Sequence, residues 1–179
     1  MGKIKGMTLQ KREYITGAVL FLIVVVLTCL YIFYDSTKIK RVQLTDLGYS
    51  SGINVEENLF YSALQDPERY SYGGCTEFPG GSASDYNSYQ IYVKASSMRI
   101  TDCRVEVTDF GAYADRWMYV DHSFGENPEC TVTLYRGGLS DAEVYQALQE
   151  LELNFSYVFH GTAKSLPFRI TAEDIAQMK

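Results

Sequence analysis

Side chains for the common enzyme chemistries are scarce in this sequence, and the motifs that organise them are absent. The chain contains 2 histidines and 4 cysteines, and neither a Gly-x-Ser-x-Gly nucleophile turn nor a Cys-x-x-Cys redox pair occurs. Gly73-Gly74 and Gly80-Gly81 lack the lysine that follows a phosphate-binding loop. These absences predict a non-enzymatic protein with no catalytic residues and no cofactor.

One segment carries more than one type of metal ligand. Asp121 and His122 are adjacent, and Glu126 and Glu129 follow them. Neighbouring residues of a strand point to opposite faces, so Asp121 and His122 are poorly placed to share one ion. A polar turn is the better interpretation, and no metal site is predicted.

Positive charge is lacking from the larger part of the chain. Up to Arg41 the sequence has 7 Lys/Arg and 2 Asp/Glu, whereas 9 Lys/Arg and 20 Asp/Glu follow it. The basic residues after Arg41 are scattered singly, and a segment this acidic would be repelled by phosphate backbones. Nucleic acid is therefore not an expected partner.

The sequence does contain one long hydrophobic run. Residues 15–34 are uncharged, and Glu13 and Asp35 bound them. A helix of this length spans about 30 Å, the thickness of the hydrocarbon core of a bilayer. The run is too long for the core of a cleaved signal peptide, and no small-residue cleavage site follows it. We predict a transmembrane signal-anchor helix at residues 14–34, behind a basic tail at residues 1–13.

Flanking charges set the expected orientation of this helix. Four Lys/Arg precede the run and three follow it, and the more basic flank of a membrane helix tends to stay in the cytoplasm. We therefore expect a single-pass protein of the cell membrane. Its basic tail would be cytoplasmic, its remaining chain would be periplasmic or extracellular, and the lipid bilayer would be one of its partners.

The rest of the chain predicts an α+β fold, one domain with a mainly antiparallel sheet and two to three helices. Residues 35–53 are expected to form a stalk, in which Val42, Leu44 and Leu47 belong to an early strand, and residues 54–179 are expected to form the domain. Alternating apolar side chains predict the strands of the domain. They lie near residues 89–93, 100–107, 117–120, 130–135 and 155–159.

Helix starts are marked by pairs of polar residues three apart. Asn54 with Glu57, and Ser140 with Glu143, have the spacing in which each residue caps the other's backbone N–H. Thr171 with Asp174 has the same spacing. We expect one helix after each of these three positions.

Three cysteines follow the hydrophobic run. Cys103 and Cys130 each open a strand-like alternation, whereas Cys75 lies in a Gly-rich segment. In an oxidising compartment two of the three are expected to pair. Strands on either side of a central third strand lie about 9.5 Å apart, too far for a bond. The expected bridge therefore joins Cys75 to one of the other two, or crosses between two packed sheets.

A tyrosine-rich segment is the best candidate for a recognition surface. Residues 70–92 combine tyrosines with Ser, Gly, Asn and Asp, the mixture that binding loops favour. A solvated loop whose tyrosines brace it against the sheet is the competing interpretation. The candidate partner-binding residues are Tyr70, Tyr72, Phe78, Tyr86, Tyr89 and Tyr92.

The leading hypothesis is a membrane-tethered, non-enzymatic protein whose extracytoplasmic domain binds a protein partner. An immunity or inhibitor protein, or a small subunit of a membrane complex, would have this organisation. Two alternatives stay open. One is an extracytoplasmic enzyme that uses Cys75 or His122. The other is a membrane-complex subunit that acts through its transmembrane helix.

Overall fold

The structure, a computed structural model, has two compact units, Met1–Ser36 and Thr37–Lys179. It describes the backbone of residues 2–49, 70–72, 74, 82–97, 99–123 and 128–179. Within these ranges it describes the side chains of residues 13–48, 74, 82, 84–97, 99–118 and 128–179. Each unit has its own internal organisation.

The first unit is a single helix, α1 (Gly2–Phe33). Its segment Glu13–Phe33 has a mean hydropathy of 2.8, and none of it is buried inside the protein. Among the described residues this is the one helix long and apolar enough to cross a membrane. The Thr28 hydroxyl donates to the Val24 carbonyl at 2.8 Å, so this polar group is satisfied within the helix itself. The predicted apolar helix is thus present.

The second unit contains two sheets, and every described strand pair in them is antiparallel. The large sheet has the strand order β1-β3-β6-β5-β2, and the small sheet has the order β4-β7-β8. The strands are β1 (Ile39–Tyr49), β2 (Tyr70–Tyr72), β3 (Tyr86–Ala95), β4 (Ile100–Asp109), β5 (Trp117–Ser123), β6 (Glu129–Tyr135), β7 (Glu152–Phe159) and β8 (Thr162–Arg169).

Two α-helices are described in this unit, α2 (Asp141–Glu150) and α3 (Ala172–Ala176). Both begin with a reciprocal capping box, as their sequences predict. At α2 the Ser140 hydroxyl accepts from the Glu143 N–H, and the Glu143 carboxylate accepts from the Ser140 N–H at 2.8 Å. Short 3₁₀ turns precede β3 at Ala83–Asp85 and β5 at Gly111–Arg116. The helix expected after Asn54 lies outside the described residues.

Both sheets and α2 contribute to one hydrophobic core. Strand β7 alternates as expected for a strand with one buried face, with Leu153, Phe155, Tyr157 and Phe159 buried and the residues between them partly exposed. The large sheet adds Leu44, Tyr89, Ile91, Val93, Cys130, Val132 and Leu134, and α2 adds Val144, Ala147 and Leu148. An α+β fold with antiparallel sheets is confirmed.

Two expectations about this unit need correction. Residues 39–49 form a strand, as expected at Val42, Leu44 and Leu47, but this strand is an edge of the large sheet rather than part of a stalk, and the compact unit begins at Thr37 rather than at residue 54. Leu44 explains the difference, because it is buried in the core that the two sheets share. The single expected sheet is also two sheets, because β4 pairs with β7 and not with β3.

Candidate functional site

A cleft of about 710 Å³ lies where β3 and β4 separate into the two different sheets. Its apolar floor includes Val93 and Phe155, which are buried. Its polar lining comes from both strands and the turn between them: Tyr92, Lys94, Ser97, Thr101, Asp102 and Cys103. An apolar floor with a few polar groups around it is the usual composition of a binding site.

The turn between β3 and β4 is held by hydrogen bonds to the start of the domain. The Lys38 N–H donates to the Ser96 hydroxyl at 2.9 Å, and the Ser96 N–H donates to the Lys38 carbonyl at 2.9 Å. A third bond ties β3 to the residue before β6, because the Val93 N–H donates to the Pro128 carbonyl at 3.1 Å. These bonds fix the position of the cleft wall that β3 contributes.

The opposite wall contains a β-bulge in β4. The register with β7 shifts between Thr101 and Arg104, and Asp102 adopts a φ of 50°. Left-handed backbone is uncommon for residues other than glycine, although aspartate tolerates it better than most. The Thr101 hydroxyl donates to the Asp102 carboxylate at 3.0 Å. The bulge therefore breaks the regular alternation of β4 at the residues that line the cleft.

The cleft does not activate its cysteine. Burial raises the pKa of the Cys103 thiol, and the neighbouring Asp102 carboxylate raises this pKa further. The thiol donates weakly to the Thr101 carbonyl, with 3.9 Å between sulfur and oxygen. A cysteine nucleophile needs a lowered pKa. The raised pKa of Cys103 is therefore the opposite of the shift that covalent catalysis would need.

The tyrosines proposed for recognition are dispersed in the structure. Tyr86 and Tyr89 are buried, with exposed fractions of 1% and 2%, so their assignment to a partner-binding loop is wrong. Tyr89 belongs to the core, and the Tyr86 ring packs against Tyr135 at a centroid distance of 5.2 Å. Tyr92 is half-exposed and lines the cleft.

The remaining three residues of that segment are described less fully. The backbones of Tyr70 and Tyr72 form β2, paired with β5 at the edge of the large sheet. Phe78 lies outside the described residues. The segment therefore has a strand at each of its ends and is not one continuous loop. Among the candidate residues whose side chains are described, Tyr92 alone lines the cleft.

The two candidate disulfide cysteines that the structure describes lie in different sheets. Cys130 heads the buried face of β6, as its alternation predicts, and Cys103 lies on β4. No disulfide joins any two of the cysteines whose positions the structure describes, Cys29, Cys103 and Cys130. Cys75 lies outside the described residues, so a bridge to it stays a prediction.

In the part of the chain that the structure describes, no three His, Cys, Asp or Glu side chains lie close enough together to bind a metal ion. His122 and Asp121 are consecutive on β5, opposite Cys130 and Thr131 of β6, and only their backbones are described. His160 is exposed in the turn between β7 and β8, against the edge of the Phe159 ring at 4.5 Å. The enzyme hypothesis built on Cys75 or His122 stays a hypothesis.

Most of the cleft residues were not singled out in the sequence. Residues 95–97 have the small polar composition of a turn, but nothing in them indicates that the two flanking strands enter different sheets. Comparison of the chain with known protein families, curated proteins and solved structures gave no significant match. The fold and site define an α+β domain, with two antiparallel sheets, preceded by an apolar helix.

Proposed function

We propose that the protein is a single-pass membrane protein whose α+β domain serves as a non-enzymatic binding or accessory module for a protein partner. In this proposal α1 is the anchor, with the basic tail in the cytoplasm and the domain in the periplasm or outside the cell. The partner is bound at the cleft between β3 and β4. An immunity or inhibitor protein, or a small subunit of a membrane complex, fits this description.

The observation that carries the proposal is the exposure of α1. Side chains on all sides of Glu13–Phe33 are exposed, including Phe21, Val24 and Leu27 at 72%, 59% and 60%. A helix that is hydrophobic all round is not stable in water unless another apolar phase covers it. A bilayer is such a phase, and the segment has the length that its hydrocarbon core requires.

The geometry of the second unit supports binding rather than catalysis. The cleft places the Lys94 ammonium, the Asp102 carboxylate and the Tyr92 ring around an apolar floor. Protein interfaces are enriched in aromatic side chains such as Tyr92, and their rims are polar. Burial and the Asp102 carboxylate raise the pKa of the Cys103 thiol that lines the same cleft, which is the opposite of the shift a nucleophile needs.

Fractionation of cells that produce the full chain tests the anchor. We expect the uncleaved protein in the membrane pellet after a carbonate wash at high pH, and its release only by detergent. Uncleaved protein in the soluble fraction would contradict the proposal. Reporter fusions after residue 179 test orientation. Activity of a periplasmic reporter, and none of a cytoplasmic one, is expected if the basic tail is cytoplasmic.

Site-specific photocrosslinking in intact cells tests the cleft. A photoreactive amino acid at Ser97 or at Thr101 should yield the same adduct, because both positions line one cleft. The matched control is Ser165, which is exposed on β8 and does not line the cleft. The same adduct from Ser165, or different adducts from the two cleft positions, would argue against a defined partner at this site.

A further inference from the structure

Six of the eleven Lys/Arg residues in the described part of the domain lie at one end of it. At this end β1 begins, β3 passes into β4, and β7 turns into β8, as the pairs Ile39 with Ala95, Ile100 with Phe159 and Phe159 with Thr162 show. We define the basic end as the described residues 37–42, 92–97, 99–103, 121–123, 128–129 and 157–165.

The charge of the domain is polarised along the strands. The basic end has six Lys/Arg and three Asp/Glu, whereas the other described residues of the domain have five Lys/Arg and eleven Asp/Glu. The six cations are Lys38, Lys40, Arg41, Lys94, Arg99 and Lys164. The three anions at the same end are Asp102, Asp121 and Glu129. The net positive end thus belongs to a domain that is negative as a whole.

Five of these six cations are exposed, and Arg99 is half-exposed. Strand pairing places Arg41 opposite Lys94 on neighbouring strands of the large sheet. The small sheet brings two more together, because the Arg99 guanidinium and the Lys164 ammonium each lie 5.3 Å from the centre of the Phe159 ring. Cations from four separate segments of the chain therefore lie at the basic end.

The turn between β7 and β8 completes this surface. His160 and Gly161 have φ values of 49° and 74°, the left-handed pair that a two-residue hairpin turn requires. Phe159 and Thr162 flank the turn as the last hairpin pair. The exposed His160 ring lies on the edge of the same Phe159 ring that Arg99 and Lys164 approach.

The position of this end along the chain indicates its partner. Only residues 34–36 separate the last residue of α1 from Thr37, the first residue of the domain, and three residues extend at most about 10 Å. If α1 spans a bilayer, as proposed above, its lipid headgroups are the nearest large surface to the basic end. Clusters of Lys/Arg next to a membrane helix attract anionic lipids.

We infer that the basic end of the domain binds the phosphate groups of anionic phospholipids and so holds the domain against the bilayer. Because the cleft lies at the same end, lipid and the proposed protein partner compete for Lys94. This inference rests on the proposed membrane anchor. Lys94 and Lys164 are the central residues, since both are exposed and lie on different sheets. The surface then works as a second, electrostatic attachment in addition to α1.

Hydrogen exchange of the full chain in vesicles tests the inference. The protein is reconstituted in neutral phosphatidylcholine vesicles or in vesicles with one third phosphatidylglycerol. We expect the amides of residues 94–101 and 160–165 to exchange about fivefold more slowly in the anionic vesicles, and this difference to disappear in 0.5 M salt (roughly a 4 Å screening length). Equal exchange in both lipids would overturn the inference.

Two matched double variants separate the basic end from net charge. Lys94→Gln with Lys164→Gln should abolish most of the lipid-dependent slowing. Arg169→Gln with Lys179→Gln removes the same charge from the acidic end and should preserve it. Exchange in α2 (Asp141–Glu150), within the core of the domain, reports whether each variant is folded. Equal slowing in all three proteins would overturn the inference.

Failure of this inference and failure of the anchor are distinguishable in the same samples. Flotation of carbonate-washed vesicles reports on α1, because an anchored protein floats with neutral and anionic lipid alike. A protein that floats but shows no lipid-dependent exchange retains the anchor and lacks the lipid-binding surface. Hydrogen exchange at the basic end could also be slowed by RNA added to neutral vesicles and not by anionic lipid. That result would overturn the inference and assign the surface to a different polyanion.

Discussion

Helices α1 and α2 use the same backbone structure in opposite surroundings. In α2, Val144 and Leu148 are buried at 2% and 0%, and charged residues occupy the other side. In α1 the aliphatic residues are more numerous, yet those of Glu13–Phe33 are exposed. The difference shows that α2 obtains its stability from the protein core, whereas α1 requires an apolar environment that the described part of the chain does not supply.

The largest effect should come from placing charge in α1. We predict that Leu22→Arg with Val26→Arg removes the protein from the carbonate-resistant membrane fraction, because each arginine near the middle of a membrane helix costs about 3 kcal/mol. Immunoblotting of the fractions measures the effect. Two arginines on the exposed face of α2, at Tyr145 and Gln146, should leave fractionation unchanged, since these side chains are already in water.

An identical truncation in the two helices should have opposite outcomes. Leu148→Ala should lower the free energy of unfolding of the domain by about 2–5 kcal/mol, because it leaves a cavity in the core. Leu27→Ala, at a side chain that is 60% exposed, should leave it unchanged. Urea denaturation of the full chain in detergent, followed by Trp117 fluorescence, measures both. Equal destabilisation by the two changes would contradict the separation into two units.

Local patterns in the sequence predicted much of the fold. The uncharged run predicted α1, the reciprocal Ser140–Glu143 spacing predicted the start of α2, and alternation predicted β6 and β7. Each of these signals depends on residues within a few positions of one another. A hydrophobic period or a cap needs no knowledge of distant segments.

The candidate site depends on long-range pairing, which such patterns do not contain. Residues 70–92 have the composition of a binding loop, but pairing of β3 with β1 and β6 buries Tyr89. In the same way, Lys94 and Lys164 are 70 positions apart in the sequence and meet at one end of the domain only because β4 and β7 join the small sheet. The cleft and the basic end are properties of this topology.

A smaller effect is expected at the N-terminal cap of α2, the Ser140–Glu143 capping box. We predict that Ser140→Ala destabilises the domain by about 1 kcal/mol, because the Glu143 N–H loses the hydroxyl that accepts from it. Ser140→Asp should retain most of the stability, since aspartate is an equally good N-cap. Urea denaturation at neutral pH compares the three proteins. Full stability of the alanine variant would show that the cap is redundant.

The smallest effect should be the pH dependence of the same cap. The Ser140 N–H and hydroxyl both donate to the Glu143 carboxylate, and these bonds lower the pKa of Glu143. A lowered pKa in the folded state means that the contribution is present at neutral pH and is lost as the pH falls through the folded pKa. Wild type should therefore exceed Glu143→Gln in stability at pH 7 and lose that advantage in strongly acidic buffer. An advantage independent of pH would assign the effect to side-chain shape instead of charge.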